Sequence, residues 1–172
     1  TFRNKSDMIP LYEENQYIET YLEIYKIVYG DKITVDYDID ESLLDEHVPK
    51  FILQPIVENT IIHGMDRLTR PGHIVIDAVR EQKDMLICIR DNGAGIEADQ
   101  LKKLLCELES QENSGNSKGR IGLNSVDKRI KMMYGPSYGL TITSRPNVET
   151  TICIRMPVKG ECSNDLPDRC HR

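Results

Sequence analysis

The sequence predicts an α/β sandwich in which a mixed, mostly antiparallel sheet carries helices packed on one face. Three observations predict it. Segments with apolar residues at helical spacing are interleaved with short runs of strict apolar/polar alternation. Two of those alternating runs are separated by little more than a turn, the mark of antiparallel neighbours. The chain also has 172 residues, 39% hydrophobic and 29% charged, a composition that suits one folded globular unit.

The elements follow in order. Pro10 opens a helix that runs to Gly30, with acidic Glu13 and Glu14 in its first turn and Ile18, Leu22, Tyr25 and Tyr29 at helical spacing. Tyr21, Ile24 and Val28 flank them and give one broad apolar face. Residues 32–39, KITVDYDI, alternate as a strand, and ESLLDEHVP is a polar connection with a short helical turn. A second helix spans Lys50 to Gly64, apolar on almost two sides yet carrying Glu58, Asn59 and His63 in its C-terminal half. GHIVIDAVR and DMLICIRD form a hairpin that turns around Gln82 to Asp84. Residues 98–109 are helical, 110–120 form a loop of small and polar residues that reads as mobile, and IGLNSVDKRIKMMYG is a helix. Strands at 138–144 and 150–157 complete the sheet, the last with Ile152, Ile154 and Met156 on one face, and 159–172 reads as a disordered tail.

Composition narrows the function. The net charge is -6, with Lys and Arg dispersed, so the basic stripe on which nucleic-acid binding relies is absent. No stretch reaches the ~20 apolar residues of a membrane-spanning helix. The start, TFRNKSDMIP, lacks a signal peptide's apolar core and, having no initial Met, reads as the beginning of an excised piece. Cys88, Cys106, Cys153, Cys162 and Cys170 are odd in number and without C-x-x-C spacing. Neither a disulfide framework nor a zinc site is expected, and a reducing compartment fits. Cys88 and Cys153 read as small strand residues, in the core or half-buried.

Three segments depart from what packing alone would choose. In PIVENTIIHG, Asn59 and His63 lie four apart on one helical face. An Asn carbonyl is a hard ligand suited to Mg²⁺ and an imidazole can reach a ribose or phosphate, although a helix end meeting water explains this segment as well. In DNGAGI, a carboxylate closes an apolar strand and is followed by glycines that let backbone approach a ligand. A purine amino group would satisfy such a buried acid, and so short a pattern is by itself also a plain turn. In SGNSKGRIGLNSV, small residues run straight into a helix, where N–H groups and the helix dipole suit phosphate. The G-K-[ST] order of a Walker A loop is absent and no strand precedes, so a dinucleotide-binding unit is disfavoured.

Together, ENTIIHG, DNGAGI and GRIGLNSV resemble the N, G1 and G2 boxes of the GHKL ATP-binding superfamily. FILQPIVENTIIHG, preceded by YLEIYKIVYGDKITVDYDID, resembles the LytS/YesM-type branch of bacterial sensor histidine kinases, over residues 10–157. The resemblance implies the Bergerat fold, binding ATP with Mg²⁺ between helices and a lid. It implies that Asn59 binds Mg²⁺, that Asp91 holds the adenine amino group, and that Gly93 and Gly95 shape the adenine pocket, with Ile96 and Leu123 also at the nucleotide. Gly119 and Gly122 would bring the lid and the next helix to the phosphates, His63 would lie beside the nucleotide, and Thr151 near the strand that closes the pocket. Glu58 would orient an incoming imidazole.

The departures are specific. Ile62 stands where many such kinases have Lys or Arg, which shifts the phosphate-binding charge to Lys118 or Arg120. Glu149 precedes Thr150 where a glycine is usual. No His lies in a phosphoacceptor-like segment, and His47, His73 and His171 read as surface or loop residues. General-base Glu in the ATPase machines and anti-sigma-factor serine kinases of the superfamily sits one turn before the Asn; here that position is Pro55.

The implied division is residues 1–30 from the end of the upstream kinase region, 31–158 the ATP-binding domain, and 159–172 the tail. The implied role is the catalytic domain of a two-component sensor kinase, the cytoplasmic domain of a plasma-membrane sensor. Its partners would be ATP, the phosphoacceptor-His region of the same homodimeric kinase and a response regulator, with no nucleic acid and no membrane contact by this piece.

Overall fold

The computed structural model describes residues 7–30, 32–65, 68–109 and 120–158. Apart from Arg120, the expected mobile loop and the expected tail lie outside the described residues. A five-stranded sheet has the order β2-β4-β5-β7-β6, built from β2 (Ile33–Ile39), β4 (Gly72–Glu81), β5 (Asp84–Asp91), β6 (Gly139–Arg145) and β7 (Glu149–Pro157). β2 runs parallel to β4, and every other neighbouring pair is antiparallel. The mixed, mostly antiparallel sheet is therefore as the alternation predicts.

One face of the sheet is apolar because the alternation puts Ile74, Ile76, Ala78, Met85, Ile87, Ile89, Ile152, Ile154 and Met156 in the buried core. That core is completed by Ile56, Val57 and Ile61, by Leu104 and Leu108 of α3 (Ala98–Glu109), and by Leu123, Val126 and Ile130 of α4 (Arg120–Tyr134).

α1 (Leu11–Tyr29) follows its punctuation. Pro10 precedes it in extended conformation, and Gly30, at φ 80°, donates its N–H to the Lys26 carbonyl at 2.8 Å. Its buried face is narrower than the sequence predicts. Ile18 and Leu22 are buried and Tyr21 and Tyr25 pack against the core, while Ile24 and Ile27 are exposed.

Two short strands, β1 (Met8–Pro10) and β3 (His47–Pro49), pair antiparallel beneath the start of α1. At three residues each they are too short to display a period. Between β2 and β3, Asp40 accepts the Ser42 N–H at 2.9 Å and caps the 3-10 turn Glu41–Leu43.

The second helix starts later than expected. α2 covers only Gln54–Asn59 and continues as a π-helical segment, Thr60–Met65. Residues 50–53 form a turn instead, with Phe51 at φ 58°, a left-handed conformation that no helix accommodates.

A further difference concerns the cysteines. Cys88 and Cys153 lie directly opposite each other on β5 and β7 and are joined by a disulfide, with Cα atoms 4.1 Å apart. They sit on the sheet face away from the helices, Cys88 buried and Cys153 half-buried as expected, but neither is a free thiol. Spacing along the chain cannot reveal a partner 65 residues away; register alone brings the two together. His47 is exposed, and His73 lies on the same outer face, 2.9 Å from the Thr34 hydroxyl and 3.4 Å from Asp36.

Candidate functional site

β5 ends on Asp91, which is 3% exposed. Alternation carries it to the helix-bearing face in line with Met85, Ile87 and Ile89. A carboxylate in that row must find donors, because an uncompensated buried charge is costly. It finds them in backbone. Gly93 donates its N–H to Oδ1 at 2.8 Å, and the Thr150 N–H supports the carboxylate from β7. Burial nevertheless dominates and pushes the Asp91 pKa up to about 6, opposed by those two N–H groups and reinforced by the charge of Glu149. A carboxylate has about four acceptor positions, so Asp91 retains capacity for a further donor such as an exocyclic amino group.

The loop after β5 shows why two of its residues are glycine. A Cβ on Gly93 would stand 2.5 Å from Asp91 Oδ1 and 2.5 Å from the Gly64 carbonyl oxygen. Gly93 therefore lets the loop fold directly over the carboxylate. Gly95 has φ +68°, and a Cβ there would meet the Arg145 carbonyl oxygen at 2.2 Å. The loop is pinned on both sides: Ala94 N–H to the Gly64 carbonyl at 2.9 Å, and Asn147 N–H to the Ala94 carbonyl at 2.6 Å. Arg70 ties the turn before β4 to the Asn92 and Gly93 carbonyls.

Ile96 donates its N–H to the Ser144 hydroxyl at 2.9 Å. That hydroxyl has one hydrogen and gives it to the Glu149 carbonyl, so Thr150 donates to Ser144 across their 2.9 Å contact. The side chain beside Asp91 is accordingly Thr150, 6% exposed and directly opposite it in register. Thr151 pairs with Arg90 instead and points to the outer face, a correction to the expectation that it borders the pocket. The signal was available: the alternation that places Ile152, Ile154 and Met156 on the core face places Thr150 there too. Gly64, whose backbone packs against the Asp91 carboxylate, is a second residue that motif reading passed over.

Three of the expected site residues lie on α2 and the π segment. Glu58 and Asn59 are half-buried at the end of α2, and His63 is exposed within the π turn that also contains Gly64. Widened turns of this kind recur at functional sites. Glu58 accepts a hydrogen bond from the Gln54 amide at 2.8 Å. Gly122 lets α4 lie against α2, since a Cβ there would stand 3.2 Å from Pro55 Cβ. Leu123 is a core residue.

The structure thus brings Asp91, Gly93, Gly95 and Ile96 together with Gly64 and Thr150. It leaves Leu123 and Gly122 with packing contacts in the described residues. Lys118 and Gly119 lie outside the described residues, and of Arg120 only the backbone, the first residue of α4, is described.

For a divalent cation the donor set is sparse. Among the described residues no group of three His, Cys, Asp or Glu could hold a metal. A single Asn carbonyl beside Glu58 suits Mg²⁺ held chiefly by a ligand's phosphates and water, the usual arrangement for that ion.

Residues 45–160 match the family described as histidine kinase-, DNA gyrase B-, and HSP90-like ATPase. The chain is 31% identical over 159 residues to the sensor histidine kinase BtsS of Escherichia coli (strain K12), covering 92% of this chain and 26% of BtsS. It is 30% identical over 169 residues to the sensor protein LytS of Staphylococcus epidermidis, covering 98% of this chain and 28% of LytS. The chain spans about a quarter of the length of these relatives. Among solved structures, the catalytic domain of histidine kinase ThkA superposes with a TM-score of 0.61 at 15% identity, covering 87% of this chain and 95% of that one. The histidine kinase AdeS of Acinetobacter baumannii gives 0.61 at 10% identity, over 88% of this chain and 66% of that one. At such identities these likenesses speak for the fold alone.

Proposed function

The chain belongs to the histidine kinase-, DNA gyrase B-, and HSP90-like ATPase family, and on that premise we propose that it binds ATP with Mg²⁺ as the catalytic domain of a sensor histidine kinase. The observation that carries the reading is Asp91, a buried carboxylate with spare acceptor capacity and backbone folded over it by glycines. In this reading Asp91 receives the adenine amino group, with Thr150 beside it. Asn59 contributes an oxygen to the Mg²⁺, and His63 lies at the sugar or phosphates. Bound Mg²⁺ supplies charge neutralisation at the phosphates. Glu58 orients the acceptor imidazole. Residues 31–158 constitute the nucleotide domain, α1 joins it to an upstream region that provides the acceptor His, and a response regulator then takes the phosphoryl group. The whole protein would be a homodimeric membrane sensor with this domain in the cytoplasm. Among the described residues no helix is long and apolar enough to cross a membrane.

The family also contains ATPase machines and serine kinases, in which a Glu one turn before the Asn deprotonates water or a hydroxyl. Here that position is Pro55, packed against Gly122 of α4, so no base stands there. An imidazole acceptor needs less activation than a hydroxyl.

The test is phosphotransfer. With radiolabelled ATP and Mg²⁺, the chain alone is expected to remain unlabelled, and a supplied acceptor domain from its own kinase is expected to gain an acid-labile, base-stable label. Acid-stable label on Ser, or rapid phosphate release without acceptor, would contradict the reading. Asn59→Ala is expected to reduce transfer at least ~100-fold, the scale of losing one electrostatic element of a phosphoryl-transfer site. Unchanged transfer would remove Asn59 from the metal.

A further inference from the structure

We infer that Glu14 is a positioning residue for the nucleotide site, holding from α1 the start of the helix that carries Glu58, Asn59 and His63. The inference rests on the site reading given above.

The first turn of any helix leaves backbone N–H groups without intrahelical partners. The chain entering α2 reads Phe51-Ile52-Leu53-Gln54-Pro55, with no Ser, Thr, Asp or Asn to cap it, and Leu53 at the cap position makes no side-chain cap bond. The missing cap is supplied from α1. Glu14 Oε2 accepts the Phe51 N–H at 2.9 Å, Oε1 accepts the Leu53 N–H at 2.9 Å, and the Ile52 N–H also bears on the carboxylate.

Glu14 is 1% exposed. Burial raises its pKa against those three N–H groups and the charge of Arg129. Arg129 in turn donates from α4 to the Lys50 carbonyl at 2.6 Å. A carboxylate from one helix and a guanidinium from another therefore grip the same four-residue turn, the one that holds Phe51 at φ 58°. The contacts span 37 and 39 residues of sequence, so local propensity does not make this turn.

The lever is short. α2 has six residues, about 9 Å along its axis, so a shift at its start is carried to Asn59 with little to absorb it. The first turn of α1 is fastened to the domain by β1–β3 pairing and by Leu11 and Tyr12 N–H bonds to the Glu46 and Leu44 carbonyls at 2.8 and 3.0 Å. Loss of the Glu14 carboxylate would free the start of α2 and displace Asn59, while Asp91 on the sheet keeps its own bonds from the Gly93 and Thr150 N–H groups.

The test uses the whole chain with Glu14→Gln, which keeps the volume but turns an N–H donor toward backbone donors. Glu14→Asp keeps the charge and retracts it by one methylene. Amide exchange across residues 56–64 is expected to quicken about tenfold in Glu14→Gln. ADP affinity with Mg²⁺ should fall about fivefold to tenfold, while affinity with Mg²⁺ chelated changes less than about twofold. Glu14→Asp should fall between the parent and Glu14→Gln.

Asp127→Asn provides the comparison for stability alone. Asp127 is an equally buried carboxylate that accepts the Leu140 N–H at 2.8 Å and pairs with Lys131 at 2.7 Å. It should lower the melting temperature without moving the Mg²⁺ dependence. Unchanged exchange over 56–64, or Glu14→Gln and Asp127→Asn both leaving the Mg²⁺ ratio at its parent value, would overturn the positioning role alone. Absence of ADP binding by the parent chain would overturn the site reading, and the positioning role with it.

Discussion

Asp91→Asn is expected to weaken ADP binding about 5- to 150-fold, a loss of about 1–3 kcal/mol, while the nucleotide-free chain remains folded. The amide replaces one acceptor oxygen with a donor, and that donor would face backbone N–H groups of Gly93 and Thr150 or the amino group of the ligand. The same substitution should change how stability depends on pH. Burial raises the folded-state pKa of Asp91 to about 6, above the ordinary 3.8. Its protonated form is thus favoured by folding: the stability it contributes is fully present below pH ~4 and is lost as pH rises through ~6, by an amount on the order of 2–3 kcal/mol. Denaturation profiles between those limits should slope less in Asp91→Asn. Adenosine, which has no phosphate to titrate, should bind the parent more tightly as pH rises through ~6, because the amino group favours the ionised acceptor. Equal adenosine affinity for parent and variant would show that Asp91 does not contact the base.

Gly95→Ala should be the most damaging added methyl among the described glycines. The new carbon would stand 2.2 Å from the Arg145 carbonyl oxygen and 2.8 Å from both the Arg145 carbonyl carbon and Pro146 Cα. All three are backbone atoms, so no side chain can swing aside. The position also requires φ +68°, which costs a residue with a Cβ about 1 kcal/mol even in open space. Relief requires the loop to part from the β6–β7 hairpin, breaking the Asn147 to Ala94 bond and the Ile96 to Ser144 bond. A stability loss of about 2–4 kcal/mol follows, read as a fall of roughly 5–15 °C in melting temperature. Nucleotide affinity should fall with it, since the backbone over Asp91 is the part displaced. A variant melting within about 2 °C of the parent would mean that the loop does not sit against the hairpin.

How much of this was legible in the sequence depended on the range of the interaction responsible. Strands β4 to β7 and their core face were legible because alternation over seven or more residues is a local signal; Thr150 could have been read by extending it two residues toward the turn. Asp91, Gly93 and Gly95 were legible as a motif, although the reasons for the glycines, the Gly64 and Arg145 carbonyls, come from distant segments. The start of α2 was misread because Phe51, Ile52 and Leu53 look like helix, whereas a buried carboxylate 37 residues upstream holds them in a turn. The π-helical turn at Thr60–Met65 has no sequence pattern distinct from an α-helical one. Likewise, the Cys88–Cys153 bond depends on strand register, and register is a tertiary fact.

We propose that the segment from Glu58 to Gly64 and the loop from Asp91 to Ile96 form one nucleotide site. Calorimetric titration of the whole chain with ADP, with and without Mg²⁺, tests it most directly, with amide exchange recorded on the same samples. The expected result is saturable binding that Mg²⁺ strengthens, together with added protection at 58–64 and 91–96 and little change on the outer face of the sheet at β6. No heat and no added protection at millimolar ADP with Mg²⁺ would show that these segments do not bind nucleotide.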